Sequence, residues 1–339
     1  MIELIEKVNG LIYQLKIFMP MEPGYVFSYV VRRDNECVMI DAGYPNTELL
    51  NPLINELNKI PSCRLNLLFI THMHIDHTGL ADGLRSRLGL SIVMHRRDYE
   101  QLLKMLDRDL FIKEFLELLM RYGVPNTEME LYKNVASGLS SRRKLSMFNP
   151  DIIVNTEEER IGGAHVLLTP GHSPGHISII LDDYRLAFTG DLILPTITTH
   201  VGLTPINPGN PLRDYLDSII KIKRAGLKCI YPGHEGEICS VNDRINELIA
   251  HRVSRLCEAL NVLRGKELTI FEIANRLRWM DNKKYVDLDL MNRYMALTET
   301  AALIKYLESL NIVRVNGDYK YGIAKEVACD IRELIPQLG

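Results

Sequence analysis

Residues 71–77 have the sequence Thr71-His72-Met73-His74-Ile75-Asp76-His77 and follow directly on an apolar run at 65–70. This run predicts a β-strand that is buried on both faces. Three histidines and an aspartate at its end are costly to bury unless a partner such as a divalent metal ion compensates them. In an extended strand end, His72 and His74 point to the same side, and the following turn can present Asp76 and His77 to a second ion.

Three further polar residues follow predicted strands, each beside a glycine. They occur in the segments Gly171-His172, Gly190-Asp191 and Gly233-His234, after predicted strands at 165–168, 185–188 and 228–231. Glycine allows the backbone to approach a neighbouring group closely. Because the ends of neighbouring strands meet at a shared edge, we expect these side chains to lie together with the histidines of 71–77.

Two similar halves of alternating strands and helices make up the first 250 residues. Strands are predicted at 11–18, 25–33, 37–41, 65–70 and 91–94 in the first half and at 152–155, 165–168, 177–181, 185–188 and 228–231 in the second. Helices are predicted at 47–59, 79–88 and 212–224. The pattern predicts an α/β fold in which helices enclose two sheets. Residues 96–150 interrupt it with helical periodicity at 99–105 and 110–122, so we interpret them as a helical insertion.

After about residue 250 the pattern changes to short helices and a hairpin. Helices are predicted at 252–263, 269–277 and 298–310, and strands at 312–315 and 319–323, joined by Asn316-Gly317. An Asn-Gly turn between β-prone runs is a strong hairpin signal. Three helices and a β-ribbon predict a winged helix at 251–339. Residues 255–339 carry 13 basic and 12 acidic side chains, a net charge of +1. We therefore expect this region to support the core or to dimerise rather than to bind nucleic acid.

The composition of the whole chain excludes several classes of protein. The 339 residues are 46% apolar and 24% charged, and the formal net charge of −3 gives no global field to hold a polyanion. No apolar run approaches the ~20 residues that a membrane-spanning helix needs. The six cysteines include no Cys-x-x-Cys pair, and the first ten residues lack the pattern of a secretory signal. We therefore expect reduced thiols, a cytoplasmic location and no membrane partner.

Together the motifs resemble those of the metallo-β-lactamase superfamily. They are His72-x-His74-x-Asp76-His77, Gly171-His172, Gly190-Asp191 and Gly233-His234, preceded by Asp41 in Ile40-Asp41-Ala42-Gly43. Four separate motifs occur in order within residues 10–240, each after a strand. The string Thr-Pro-Gly-His-Ser-Pro-Gly-His at 169–176 is most similar to glyoxalase II-like members. The C-terminal region resembles the β-lactamase-like-protein-2 group, some of which are endoribonucleases.

The resemblance implies a four-layer αββα sandwich at 1–250, with the helical insertion at 96–150 as a cap and the winged helix at 251–339. It also implies two divalent metal ions. One would be held by His72, His74 and His172, the other by Asp76, His77 and His234, with Asp191 bridging them. Asp41 would orient the ligands of the first motif from behind. We expect zinc, although His/Asp sites also accept iron and manganese. Asp191 stands where true β-lactamases usually carry a cysteine, so we do not expect antibiotic hydrolysis.

The implied ligand set predicts a mechanism. Two ions about 3.5 to 4 Å apart lower the pKa of a bridging water from 15.7 toward about 7. The resulting hydroxide would attack a carbonyl or phosphorus centre, with Asp76 and Asp191 as the catalytic carboxylates. His176 and His200 are weaker candidates for contact with the substrate.

Three functions compete on the sequence. The leading one is a hydrolase of an ester-like bond, a thioester or lactone, in a small acyl substrate, with the insertion shaping an apolar pocket over the metal ions. The alternative is a phosphodiesterase or endoribonuclease that uses the same metal site. The third is a non-enzymatic or redox metal protein. A homodimer is compatible with all three.

Overall fold

Two β-sheets packed face to face form the centre of the molecule in the computed structural model, which describes residues 2–8, 10–20, 22–33, 36–61, 63–143 and 147–338. The first sheet contains, in spatial and chain order, β1 (Ile2–Lys7), β2 (Ile12–Phe18), β3 (Tyr25–Arg33), β4 (Glu36–Ile40), β5 (Arg64–Phe69), β6 (Ser91–His95) and β7 (Ile152–Val154). Pairing is antiparallel from β1 to β4 and parallel from β4 to β7. The strand that precedes residues 71–77 therefore lies inside this sheet, as the apolar run predicts.

The second sheet has the spatial order β12-β11-β10-β9-β8. Its strands are β8 (Glu158–Ile161), β9 (Ala164–Leu168), β10 (Ile177–Leu181), β11 (Leu186–Gly190) and β12 (Cys229–Pro232). β10 is antiparallel to both β9 and β11, and β12 is parallel to β11. Strands β9, β11 and β12 therefore run in the same direction and end at one edge. The two sheets share a buried core that includes Tyr29 and Phe188, whose rings are 5.0 Å apart.

The α-helices lie between and after these strands. In chain order they are α1 (Leu50–Leu57), α2 (Ile75–Thr78), α3 (Ala81–Leu88), α4 (Arg96–Leu106), α5 (Arg108–Arg121), α6 (Asn126–Arg143), α7 (Pro211–Arg224), α8 (Val241–Leu263), α9 (Ile270–Ala274), α10 (Leu290–Ser309) and α11 (Ile331–Leu334). Of the helices that the structure describes, none is both long and apolar enough to span a membrane.

Helices cover the outer face of each sheet. α1 and α3 bury Leu53 and Leu84 against the first sheet, and α7 and α8 bury Ile219 and Leu248 against the second. The order of layers is helix, sheet, sheet, helix. The predicted α/β fold of two sheets enclosed by helices is confirmed.

Helix α7 shows how the local sequence determines where a helix begins and which face it buries. The Asn210 side chain accepts a hydrogen bond from the N–H of Arg213, and Pro211 occupies the first turn, where its missing N–H costs nothing. Leu212, Leu216 and Ile219 recur at helical spacing and are buried. The helix therefore has one apolar face, which packs on the second sheet.

The insertion contains three helices, α4 to α6, where periodicity predicted two. The buried stripe of α6 consists of Tyr132, Ala136 and Ser140, spaced four apart. Only Tyr132 in this stripe is a large side chain, so the sequence signal is weak. The Ser140 hydroxyl donates to the carbonyl of Met105, which ties α6 to α4.

The insertion packs against the C-terminal region. The rings of Phe115 and Tyr294 stack 4.9 Å apart, and the hydroxyls of Tyr132 and Tyr285 are 2.5 Å apart. The N–H of Phe271 donates to the carbonyl of Tyr122. The apolar side of the insertion is therefore used in a core that it shares with α8 and α10.

The C-terminal region contains α8 to α11 and a two-stranded ribbon, β13 (Val313–Val315) and β14 (Tyr321–Ile323). The predicted turn is present: the Asn316 side chain accepts hydrogen bonds from the N–H groups of Asp318 and Lys320. Helix α10 is buried around much of its circumference, including Leu303 and Leu307. The helices and ribbon are those a winged helix requires, and the winged-helix assignment itself stays a prediction.

Four of the six cysteines differ from the expected reduced state. Cys37 is bonded to Cys63, and Cys229 is bonded to Cys239. Cys37 and Cys63 lie at the starts of the neighbouring strands β4 and β5, and Cys229 and Cys239 lie beside the bridge between Ile230 and Ile238, so the Cα atoms are 5.4 and 4.0 Å apart. The spacing along the chain, 26 and 10 residues, carries no signal for this pairing. The expectation of reduced thiols is therefore wrong for these four residues.

Candidate metal centre

The predicted ligands all lie beyond the carboxyl ends of strands. His72 and His74 follow β5, and Asp76 and His77 lie in the short helix α2 that comes next. His172 lies beyond β9, Asp191 beyond β11 and His234 beyond β12. Because β9, β11 and β12 end at one edge of their sheet, and this edge faces the end of β5, the two halves of the chain meet here.

Three imidazoles face one another in a first group. Nε2 of His72 lies 3.0 Å from Nδ1 of His74, which lies 2.8 Å from Nε2 of His172. A tetrahedral ion with ligand bonds of 2.0–2.1 Å has ligand–ligand distances of about 3.3 Å. The three nitrogens are thus placed as ligands of one small cation would be.

A second group combines carboxylates with imidazoles. Oδ2 of Asp76 lies 3.4 Å from Nε2 of His234 and 3.7 Å from Nε2 of His77. Oδ2 of Asp191 lies 3.4 Å from Nε2 of His234 and 3.8 Å from Nε2 of His172, so it touches both groups. The structure therefore brings all seven predicted ligands together, with the Asp191 carboxylate between the two groups.

Two buried polar atoms in this cluster lack a hydrogen-bond partner in the part of the chain that the structure describes. They are Nε2 of His77 and Oδ1 of Asp191, which are 3.4 Å apart. A buried polar atom without a partner costs about 1–3 kcal/mol. A cation held between them would compensate both, so the donor set fits a metal ion.

The outer ring nitrogens fix the tautomers of two histidines. Nδ1 of His172 lies 2.9 Å from the carbonyl oxygen of His200, and Nδ1 of His234 lies 2.9 Å from that of Tyr25. A carbonyl oxygen only accepts, so each Nδ1 carries the proton and donates it. In the neutral form of each ring, the Nε2 lone pair therefore faces the ligand cluster, as metal binding requires.

Asp41 fixes the orientation and the Nδ1 proton of two more histidines. Its carboxylate accepts hydrogen bonds from the Thr71 N–H and hydroxyl, both at 2.8 Å, and from Nδ1 of His77 at 2.7 Å. Because the Thr71 hydroxyl donates to Asp41, its oxygen accepts from Nδ1 of His72, 3.0 Å away. One carboxylate thus turns Nε2 of both His72 and His77 toward the cluster, which is the role that the resemblance implies for Asp41.

The electrostatics of the site favour positive charge. Burial would raise the pKa of Asp76, but His77 and His234 lower it to about 2. Burial would lower the pKa of His234, but Asp191 and Asp76 raise it to about 10. Burial lowers the pKa of His72 well below its usual value. Burial would lower the pKa of His77 too, but the same carboxylates raise it, so His77 and His234 carry protons at neutral pH when no metal is bound, and a divalent cation would replace those protons.

The two weaker substrate candidates are placed differently from the ligands. His176 is 0% exposed, and its ring stacks on His72 behind the cluster. Burial lowers its pKa to about 3, and its side chain offers no surface to a substrate. The ring of His200 faces α10, with Nε2 3.3 Å from the Thr298 hydroxyl. Its contact with the cluster is made by its backbone carbonyl, which orients His172.

Sequence reasoning missed the charged residues that hold the loop at 194–200, between Asp191 and His200. Glu235 accepts from the N–H groups of residues 196 and 197, and Arg244 donates to the carbonyls of residues 194, 196 and 197. Arg252 donates to the carbonyl of Thr199, whose hydroxyl donates to the carbonyl of Asp191. Only Glu235, next to His234, carries a positional signal. The arginines lie on α8, about 50 residues away in sequence.

An open groove of about 530 Å³ lies beside the loop that carries Asp41. Its lining is mostly apolar and consists of Phe18, Met19, Pro20, Tyr44, Pro45, Asn46 and Thr47. The same loop contacts the ligand helix, since the N–H of Ala42 donates to the carbonyl of His77 at 2.7 Å. None of these lining residues belongs to the insertion, and the expected pocket between the insertion and the metal centre stays a prediction.

With this fold and site in view, comparison with known proteins identifies the family. Residues 21–234 match the model of the metallo-beta-lactamase superfamily, which is more than half of the chain. The protein therefore belongs to the metallo-β-lactamase superfamily. A metallo-beta-lactamase family protein from Thermus thermophilus has a similar structure, with a TM-score of 0.73 and 26% identity, over 92% of this chain and 98% of that one.

Two relatives match the groups that the sequence motifs resemble. A beta-lactamase-like protein 2 homolog from Caenorhabditis elegans is 27% identical over 83% of this chain and 77% of its own length. The hydroxyacylglutathione hydrolase GloC from Haemophilus influenzae is 30% identical over 47% of this chain and 62% of its own. The expected resemblance to both groups is confirmed, and the protein is an enzyme of the metal-dependent hydrolase class.

Proposed function

We propose that this protein hydrolyses an ester-like bond, a thioester or lactone, in a small acyl substrate, and that it does so with two zinc ions. The observation that supports the proposal most directly is the pair of adjoining ligand groups that share Asp191. Seven side chains from two sheets converge on a volume a few ångströms wide, and they are the residues that the resemblance implies as metal ligands.

Two bound zinc ions would supply a water of lowered pKa and polarise the oxygen of the scissile bond. The side chains of this protein would position the two zinc ions and the water. His72, His74 and His172 would hold one ion, and Asp76, His77 and His234 would hold the other. Asp76 and Asp191 stay ionised at neutral pH, so each keeps a carboxylate oxygen able to accept a hydrogen bond from the attacking water.

Two features favour an acyl substrate over a phosphodiester. The groove beside the Asp41 loop is mostly apolar and large enough for a short acyl chain. One relative is named for the hydrolysis of hydroxyacylglutathione, an acyl derivative of a thiol. We propose that the acyl group lies in this groove, next to Tyr44.

The test is a substrate panel with protein loaded with zinc. We expect turnover of thioesters or lactones that is lost with a chelator and restored by added zinc. Phosphodiesters and short RNA should be hydrolysed at least tenfold more slowly at equal concentration. Cleavage of RNA or phosphodiesters alone would contradict the proposal and favour the nuclease alternative. The cytoplasmic location, a homodimer and the winged-helix assignment stay predictions.

The C-terminal region is expected not to bind duplex DNA at physiological salt. Helix α10 buries residues on several faces. Of its two basic residues, Lys305 pairs with Glu308 at 2.9 Å, and Arg293 donates to the carbonyls of Val286 and Leu288. Nucleic-acid binding by counterion release needs clustered, free Lys and Arg. A fluorescence anisotropy titration should show no binding up to micromolar protein. Tighter binding with a steep salt dependence would contradict this prediction.

A further inference from the structure

Asp98 is a fully buried carboxylate in the first turn of α4, at the start of the insertion. It accepts three hydrogen bonds from outside its own helix. Oδ2 accepts from the N–H of Met73 at 2.8 Å and from the hydroxyl of Ser173 at 2.7 Å, and Oδ1 accepts from the N–H of Gly175 at 2.5 Å. The metal ligands and their supporting residues described above do not include it.

The three donors belong to the two loops that carry the first group of imidazoles. Met73 lies between His72 and His74, and Ser173 follows His172. One loop follows β5 in the first sheet, and the other follows β9 in the second. A single carboxylate therefore joins the two halves of the fold immediately beside three predicted ligands.

The fit between α4 and the second loop is close. A Cβ atom on Gly175 would lie 2.4 Å from the backbone nitrogen of Asp98 and 2.9 Å from its Cβ. Only glycine at this position lets the helix start approach the loop so closely. The contact is therefore part of the local packing and does not depend on a long, adjustable side chain.

Capping of α4 does not account for the Asp98 carboxylate. An aspartate in a first turn commonly compensates the N-terminus of its own helix. Here the N-cap is His95, whose Nδ1 accepts from the N–H of Arg97 at 3.1 Å. The described hydrogen bonds of Asp98 go to the ligand loops instead.

We infer that Asp98 is a positioning residue that sets the spacing of His72, His74 and His172, so that the insertion controls the geometry of one metal site. The inference rests on the proposed metal centre. It also gives the insertion a role other than that of a lid over the substrate: the first turn of α4 is a structural support of the metal ligands.

Asp98→Asn is the most informative variant. An amide has one accepting oxygen and one donating nitrogen, so it cannot accept from donors on both sides. At least one backbone N–H, of Met73 or Gly175, then faces another donor. Ser173→Ala is the milder variant, because it removes only one of the three hydrogen bonds. Asp151→Asn is the matched control: Asp151 accepts from the backbone N–H of Ile92 at 2.8 Å, in the first sheet and away from the ligand loops.

The measurement is a Co²⁺ titration of the metal-free full-length chain, followed by visible absorption, which reports ligand geometry independently of catalysis. We expect Asp98→Asn to weaken Co²⁺ binding about tenfold or more and to shift the ligand-field bands. Ser173→Ala should show a smaller change in the same direction, and Asp151→Asn should match the wild type.

A wild-type affinity and spectrum in folded Asp98→Asn would overturn the inference. If Asp98→Asn does not fold, the same wild-type behaviour in Ser173→Ala overturns it. A wild-type chain that binds no Co²⁺ would overturn the metal centre and this inference together. Failure of the proposed function can be distinguished from failure of this inference. A protein that binds Co²⁺ but hydrolyses no ester would still show the expected differences between the spectra of the variants.

Discussion

Asp191→Ala is expected to abolish hydrolysis and to release at least one metal ion. The Asp191 carboxylate lies within 3.4 to 3.9 Å of nitrogen atoms in both ligand groups. Its removal leaves the buried imidazoles of His77 and His234 with the Asp76 carboxylate as the one remaining charge of the ligand cluster that attracts a cation. Since metal ions contribute several kcal/mol to transition-state stabilisation, turnover should fall on the order of 10³-fold or more. Steady-state kinetics and elemental analysis of the same sample measure both effects.

His251→Ala is the control for this variant. His251 is a partly buried histidine on α8, outside both ligand groups. We expect the metal content of His251→Ala to equal that of the wild type. Its turnover should change by less than about twofold, because substitutions outside a functional site usually have small effects. If Asp191→Ala retains two ions and full activity, the bridging assignment is wrong.

Deletion of residues 99–149 is expected to prevent cooperative folding. The sequence alone predicts that the insertion can be removed with only a change in substrate preference. The structure indicates the opposite, because Phe111, Phe115 and Tyr132 are buried in a core shared with α10. Truncating one buried phenylalanine costs roughly 3–5 kcal/mol, whereas total stability is about 5–15 kcal/mol. Thermal unfolding followed by circular dichroism tests this expectation.

Single substitutions provide the matched control for the deletion. Phe115→Ala, at 1% exposed, should destabilise the protein by roughly 3–5 kcal/mol. Leu131→Ala in the same insertion, at 48% exposed, should change the free energy of unfolding by less than about 0.5 kcal/mol. A deletion protein that unfolds cooperatively at the wild-type midpoint would show that the insertion is a separable cap.

Local patterns predicted most of the elements that position the site. Strand β5 is mostly apolar, and the Gly-His and Gly-Asp pairs mark the ends of β9, β11 and β12, so the sequence predicts both halves of the centre. The hairpin at Asn316-Gly317 was equally clear. These signals are local because strand burial and turn conformation depend on neighbouring residues.

Features that depend on distant residues were not predictable. Asp98 contacts Ser173, 75 residues away, and Arg252 contacts Thr199, 53 residues away. Neither has a local pattern that distinguishes it from a surface charge. The bond between Cys37 and Cys63 and the weakly amphipathic helix α6 were missed for related reasons: tertiary packing, rather than periodicity, determines them.

Metal stoichiometry tests most directly whether this chain holds two metal ions through seven side chains. Metal-free protein titrated with Zn²⁺ should bind two ions per chain with submicromolar affinity, by calorimetry and elemental analysis. His72→Ala and His234→Ala should each lose one ion while staying folded, and His251→Ala should retain both. Binding of fewer than one ion by the wild type, or of two ions by both ligand variants, would contradict the account.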